Sequence, residues 1–208
     1  MSDPVLPARL VPLVEQFRFT RDRLLNRLRG PLMDSGNGTE VPVTPLTDEE
    51  YRWEPVADCW SVRRKADGPG ARATVLVGTG EWGRDTTPPP HPVPAPFTTI
   101  AWRLSHLVEM FTVRTDHTAG GRTLTRDDVP CRGDAASAVA DLERSMAGWH
   151  GMLLGLSDAD LDTVGYSSYP HGGDPEEAMV DVVWWMNQEL LAHGAEIALL
   201  RDLYRARG

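Results

Sequence analysis

Apolar residues recur at steps of three and four in four separate stretches of the chain, and each stretch reads as an amphipathic helix. In the first, about 7–29, Leu10, Leu13, Val14, Phe17, Leu24, Leu25 and Leu28 share one face, and Gly30-Pro31 supplies the stop. The second runs over about 98–117 with Ile100, Leu104, Leu107, Val108, Phe111 and Val113 apolar. Thr98 or Thr99 caps its start, and it ends before Gly120-Gly121. The third follows Asp134 as N-cap, carries Ala135, Val139, Leu142, Met146, Trp149 and Leu153, and stops near Gly155. The fourth is expected to begin at Asp174 as N-cap, with Pro175 in the first helical position and Glu176 and Glu177 set against the helix dipole. From there to Arg205 only Gly194 interrupts a run of about 30 residues, long enough to cross a whole domain at roughly 1.5 Å per residue.

Residues 31–97 break this periodicity. They hold most of the prolines, including Pro88-Pro89-Pro90-His91-Pro92, which is incompatible with a helix interior. Within them Ala73-Thr74-Val75-Leu76-Val77 is β-prone and is followed by Gly78 and Gly80, which predicts a short hairpin. Thr47-Asp48-Glu49-Glu50 predicts a capped helical turn. The second inter-helix connection is short enough for neighbouring helices, whereas the third, about 156–174, can cross an end of the bundle. The predicted fold is therefore all-α: a four-helix bundle in one domain over 1–208, with a proline-rich insertion and a short hairpin between the first two helices.

Composition narrows the partners. The chain of 208 residues carries 21 basic and 30 acidic side chains, a net charge of −9. That balance repels phosphate and argues against a nucleic-acid or anionic-membrane partner. No apolar run approaches the roughly 20 residues that span a bilayer. The opening MSDPVLPARL lacks the layout of a secretory signal, so a cytoplasmic location is expected. Cys59 and Cys131 match no metal or redox spacing and read as free thiols.

Candidate chemistry lies on the second and fourth helices. At about 100° per residue, Glu189, His193 and Glu196 share one face of the fourth helix, extended by Trp185 and Leu200. A carboxylate and an imidazole among large apolar side chains are costly to bury unpaired, and a divalent cation removes that cost while suiting both donors. His106, with Trp102 one turn before it, stands in the densest apolar part of the second helix. Together His106, Glu189 and His193 would make a three-ligand site with an open position, the arrangement of a catalytic rather than a structural metal. The spacing is equally compatible with a satisfied core histidine and a helix-stabilising Glu–His pair.

The segments TTIAWRLSHLVEM (98–110) and MNQELLAHGAEIALLRDLYRARG (186–208), with DEEYRWEPVADCWSVR (48–63) as a weaker third element, resemble the DinB/YfiT-like superfamily of metal-dependent four-helix bundles. In that family one histidine lies on the second helix and a His-x3-His pair on a later one. His106 matches the first position and His193 the last. Glu189 stands where many members have histidine, which resembles the branch of the mycothiol-dependent maleylpyruvate isomerases, at their N-terminal domain. The resemblance implies a divalent metal, zinc first with nickel or iron also suited. It also implies a thiol-dependent transferase or isomerase that uses a small thiol of the mycothiol or bacillithiol type and an electrophilic substrate. A metal with an open position lowers the pKa of a bound thiol, and the thiolate attacks carbon.

Other residues carry weaker signals. Glu196 is expected either to act as an acid or base, to hydrogen-bond a ligand imidazole, or to pair with Arg201 or Arg103. Arg201 and Asp202 read as ion pairs at the end of the bundle, and Asn187 as solvent-facing. His150 reads as a core or boundary residue, and His91, His117 and His171 as surface residues. A reading of another class is a non-catalytic bundle that binds metal or ligand and acts as a dimeric interaction module. A homodimer is accordingly a candidate partner state.

Overall fold

A computed structural model describes residues 6–30, 32–34, 40–42 and 44–207, with backbone alone for 32–34 and 40–42. Pro31, the opening MSDPV and parts of the start of the insertion lie outside the described residues. The elements in chain order are α1 (Val11–Arg29), β1 (Leu32–Asp34), β2 (Glu40–Pro42), α2 (Asp48–Arg52), β3 (Val62–Arg64), β4 (Val75–Val77), β5 (Trp82–Thr86), α3 (Ile100–Ala119), α4 (Ala135–Leu153), α5 (Asp158–Asp162) and α6 (Met179–Ala206).

The four long helices α1, α3, α4 and α6 pack as the predicted bundle. Around its circumference α1 touches α4 and α6, and α3 touches the same two. Side-chain contacts fix their directions. Asn187 donates to the Leu13 carbonyl and Arg27 pairs with Asp202, so α1 and α6 run parallel. Arg114 reaches Met186 while Arg103 reaches Glu196, so α3 opposes α6. Phe17 stacks on His150 while Arg29 pairs with Glu143, so α4 opposes α1. The bundle is thus up-down-down-up. Neighbours α3 and α4 are parallel, so residues 120–134 must return along the bundle's length. The longer connection after α4 crosses its end.

Local sequence explains the boundaries. Thr99 and Asp134 accept hydrogen bonds from Trp102 N and Ser137 N as N-caps, and Gly30, at φ 61°, ends α1. The apolar faces meet in a core that includes Phe17, Leu104, Phe111, Leu142, Trp149 and Leu190, each at most 1% exposed. Burial of such side chains is the main favourable term in folding.

The insertion is more ordered than its proline content implies. β4 and β5 form the expected hairpin, and β3 pairs with the other edge of β5, giving an antiparallel sheet in the order β3-β5-β4. Gly78 at the turn has φ 113°, and a Cβ there would lie 2.7 Å from Cys131 Sγ, so glycine is required. Asp85 on β5 is fully buried and accepts from Ser61 N, Arg63 Nε and Gly70 N, tying the surrounding loops to one carboxylate.

Three sequence expectations are corrected. The fourth helix begins at Met179, not at Asp174; residues Asp174–Glu176 form a separate single turn, and Glu177 and Ala178 are extended. Asp174 does not cap, because its carboxylate accepts two hydrogen bonds from Arg114 and one from Ser167, all at 2.7 Å. Asn187 is buried rather than solvent-facing, since its amide bridges to the Leu13 carbonyl and Gln16. His117 is also buried, held between Leu124 O at 2.9 Å and Ser168 Oγ.

Candidate metal centre

His106 on α3 and Glu189 and His193 on α6 converge where the two antiparallel helices cross. The stretch Leu104 to Phe111 is buried on almost every face, so His106 is fixed by its neighbours. Trp102, one turn earlier, stacks on the imidazole at a ring separation of 5.2 Å, and its own Nε1 donates to Asp85 O. On α6, Glu189 and His193 are four residues apart and project from one face. Glu189 Oε2 lies 3.4 Å from His193 Nε2 and 3.7 Å from His106 Nε2, and the two imidazoles meet edge to face at 5.0 Å.

The donor set fits a divalent cation. One atom from each residue lies within 4.8 Å of the other two. Ligands about 2.0–2.2 Å from a tetrahedral zinc ion sit about 3.3–3.6 Å apart, close to the two separations involving Glu189. The shifts at Glu189 and His106 favour the forms that a cation takes. The facing imidazole of His106, then that of His193, holds the Glu189 carboxyl down to about 2, and burial pushes the His106 pKa below its usual value, which favours the neutral ring.

The far side of the His193 imidazole is also held. His193 Nδ1 meets Glu196 Oε2 at 2.7 Å, which directs its Nε2 lone pair toward Glu189 and His106. Glu196 in turn pairs with Arg103, whose pKa burial lowers to about 10. Glu196 therefore makes both contacts weighed from the sequence, and it stands behind the ligand ring, outside the cavity lining. His106 Nδ1 faces Arg84 Nη1 at 3.3 Å. Arg84 makes its closer contact with buried Glu109 and lies over the face of Trp102.

A cavity of about 650 Å³ extends from His106 and Glu189 along α3 toward Arg114. Trp60, Trp102 and Trp185 give it aromatic walls, and Pro92 and Pro96 of the insertion close one side. The insertion thus contributes directly to the pocket. His91 and His171, expected at the surface, are exposed but also line this cavity. Sequence reasoning missed Arg84, Glu109, Arg126 and Tyr169 on its wall. Glu109 had a legible signal, a carboxylate amid the apolar run of α3; Tyr169 donates to it at 2.8 Å. His150 stays away from the cavity against Phe17, and Arg201 pairs with Glu50 in the end-of-bundle pairing, as Asp202 does with Arg27.

No helix among the described residues is long and apolar enough to cross a membrane. No curated protein and no solved structure matches the chain. A family model described as the DinB superfamily matches residues 16–197, a span that takes in His106, Glu189 and His193 together with most of the bundle, and the chain belongs to that superfamily.

Proposed function

We propose that residues 1–208 form one metal-dependent enzyme domain that joins a low-molecular-weight thiol to an electrophilic carbon, as a transferase or an isomerase. The observation that carries this reading is the convergence of His106, Glu189 and His193, of which His106 and Glu189 line an aromatic cavity. Two imidazoles and one carboxylate suit zinc first, and nickel or iron(II) as well. Bound there with an open position, the cation would supply a site at which a thiol ionises near neutral pH. The chain's own residues do the rest. Glu196 and Arg103 hold the His193 ring in place, so Glu196 acts by positioning. Trp102 packs His106 and presents its remaining surface to the cavity, and the tryptophans and prolines exclude water around the reacting carbon.

The test is a metal and activity assay on protein purified without a chelating tag. About one equivalent of metal per chain is expected, with His193→Ala losing it, together with turnover of a small thiol and an electrophile panel that depends on the metal. Metal-free wild-type protein overturns the reading. A metal-replete protein that is inert to the panel favours the non-catalytic binding module instead.

That module would act as a dimer, and one feature favours a second copy as partner. Trp184, Leu191, Leu199 and Leu203 on the outer side of α6, with Phe19 of α1, are exposed in one stripe, and an apolar stripe on a helix already buried on its inner face suits a self-complementary contact. Leu199→Glu is expected to convert a dimer to a monomer by light scattering. A monomeric wild type removes this part of the account.

A further inference from the structure

Three arginines line the cavity, and two have their acid inside the protein. Arg84 pairs with Glu109, and Arg114 is gripped by both oxygens of Asp174 while lying over Tyr169 and Trp185. The third, Arg126, has neither an ion pair nor a hydrogen bond among the described residues, and its Nε is buried with no acceptor. Glu109, within electrostatic reach of Arg126, is already occupied: one oxygen accepts from Tyr169 and the other faces Arg84. A partly buried guanidinium with unused donors on a cavity wall is an anion site, because its planar fork matches a carboxylate and a buried donor is costly to leave unmet.

We propose that Arg126 binds the carboxylate of the electrophilic substrate, so that the cavity takes a small organic acid with a planar or aromatic body. The carboxylate meets Arg126, the body lies against Trp102 and Trp185, and the opposite end reaches the His106–Glu189–His193 cluster. Glu109, the α3 residue within electrostatic reach of Arg126, follows His106 by three residues, so the acid group falls roughly 5 Å or more along the helix from the triad. One free guanidinium beside several carboxylates of the wall favours a monoanion over a phosphate dianion. The inference deepens the substrate-site reading above and rests on it, yet Arg126 is no metal ligand, so its test does not need metal.

Calorimetric titration of the protein, as purified and after chelation, with 3-phenylpropionate, 3-phenylpropanamide and 2-phenylethyl phosphate tests it. The acid is expected to bind at least about tenfold more tightly than the amide, with or without metal. Arg126→Gln should bind acid and amide alike, and Arg126→Lys should keep part of the preference. Equal binding of acid and amide by the wild type overturns the proposal, as does a preference that survives Arg126→Gln. So does tighter binding of the phosphate. An acid preference that vanishes on chelation means that the carboxylate binds the metal and overturns it too. His193→Ala protein that lacks metal and turnover but retains the acid preference separates the two claims.

Discussion

Replacing Glu196 by glutamine tests how the centre is held. In the structure Glu196 Oε2 lies 2.7 Å from His193 Nδ1, and its side chain is 45% exposed. A hydrogen bond to a charged group contributes about 1.5–3 kcal/mol and a neutral one about 0.5–1.5, so Glu196→Gln forfeits about 1 kcal/mol or slightly more. Solvent screening at this exposure sets the loss near the lower end. That corresponds to about a five- to tenfold weaker hold on the metal. Glu196→Ala goes further, because it leaves the His193 Nδ1–H without an acceptor and Arg103 without its carboxylate. Its expected loss is about 30- to 100-fold, the upper range for removing the partner of a metal-bound histidine. Competition against a chromophoric zinc chelator measures both constants, and turnover at saturating metal should change little in the glutamine variant. The reasoning is refuted if Glu196→Gln binds zinc within twofold of wild type. It is equally refuted if that variant keeps its affinity and loses turnover, which would make Glu196 a proton-transfer residue.

Two further outcomes follow from buried charge. In chelator-treated protein, stability should fall as the pH drops below 6.5. Burial lowers the His106 pKa in the folded state, so the unfolded chain binds the proton first and acid favours unfolding. Between 4.5 and about 2 the depressed Glu189 carboxyl adds a loss of the same sign. Thermal melts across this range check it, and His106→Gln should flatten the upper part of the slope. Asp174→Ala should destabilise the fold by about 3–5 kcal/mol in urea titration, since it strands the guanidinium of Arg114, whose side chain is 2% exposed. A cost under about 1 kcal/mol would mean that Arg114 finds another partner.

The bundle was legible because its signal is periodic. Each long helix shows its buried face at steps of three and four, and Thr99, Asp134 and Gly30 punctuate the ends as local chemistry requires. The juxtaposition of His106 with Glu189 and His193 was legible in part, since helix spacing places two donors on one face but not the third across from them. What stayed hidden depends on tertiary partners. Trp82–Thr86 falls in the second arm of the expected hairpin but carries no apolar alternation to mark a buried face, yet Arg84 and Asp85 are buried because Glu109, Ser61 and Arg63 satisfy them. Asp174-Pro175 has every local mark of a helix start, but its carboxylate is worth more against Arg114 than against backbone N–H groups. Asn187 stands four residues after Val183 and three before Leu190, both fully buried, so the helical period itself places it inward; what the sequence does not show is the partner that satisfies its amide, a carbonyl on α1 more than 170 residues away.

The central claim is that one divalent cation sits between α3 and α6. Anomalous diffraction from crystals of the protein, recorded on either side of the zinc absorption edge, tests it directly. The account predicts a single strong peak about 2.0–2.2 Å from His106 Nε2, His193 Nε2 and a Glu189 oxygen, absent from His193→Ala crystals. A zinc-saturated crystal with no peak there, or with the two imidazoles turned away from Glu189, would contradict it.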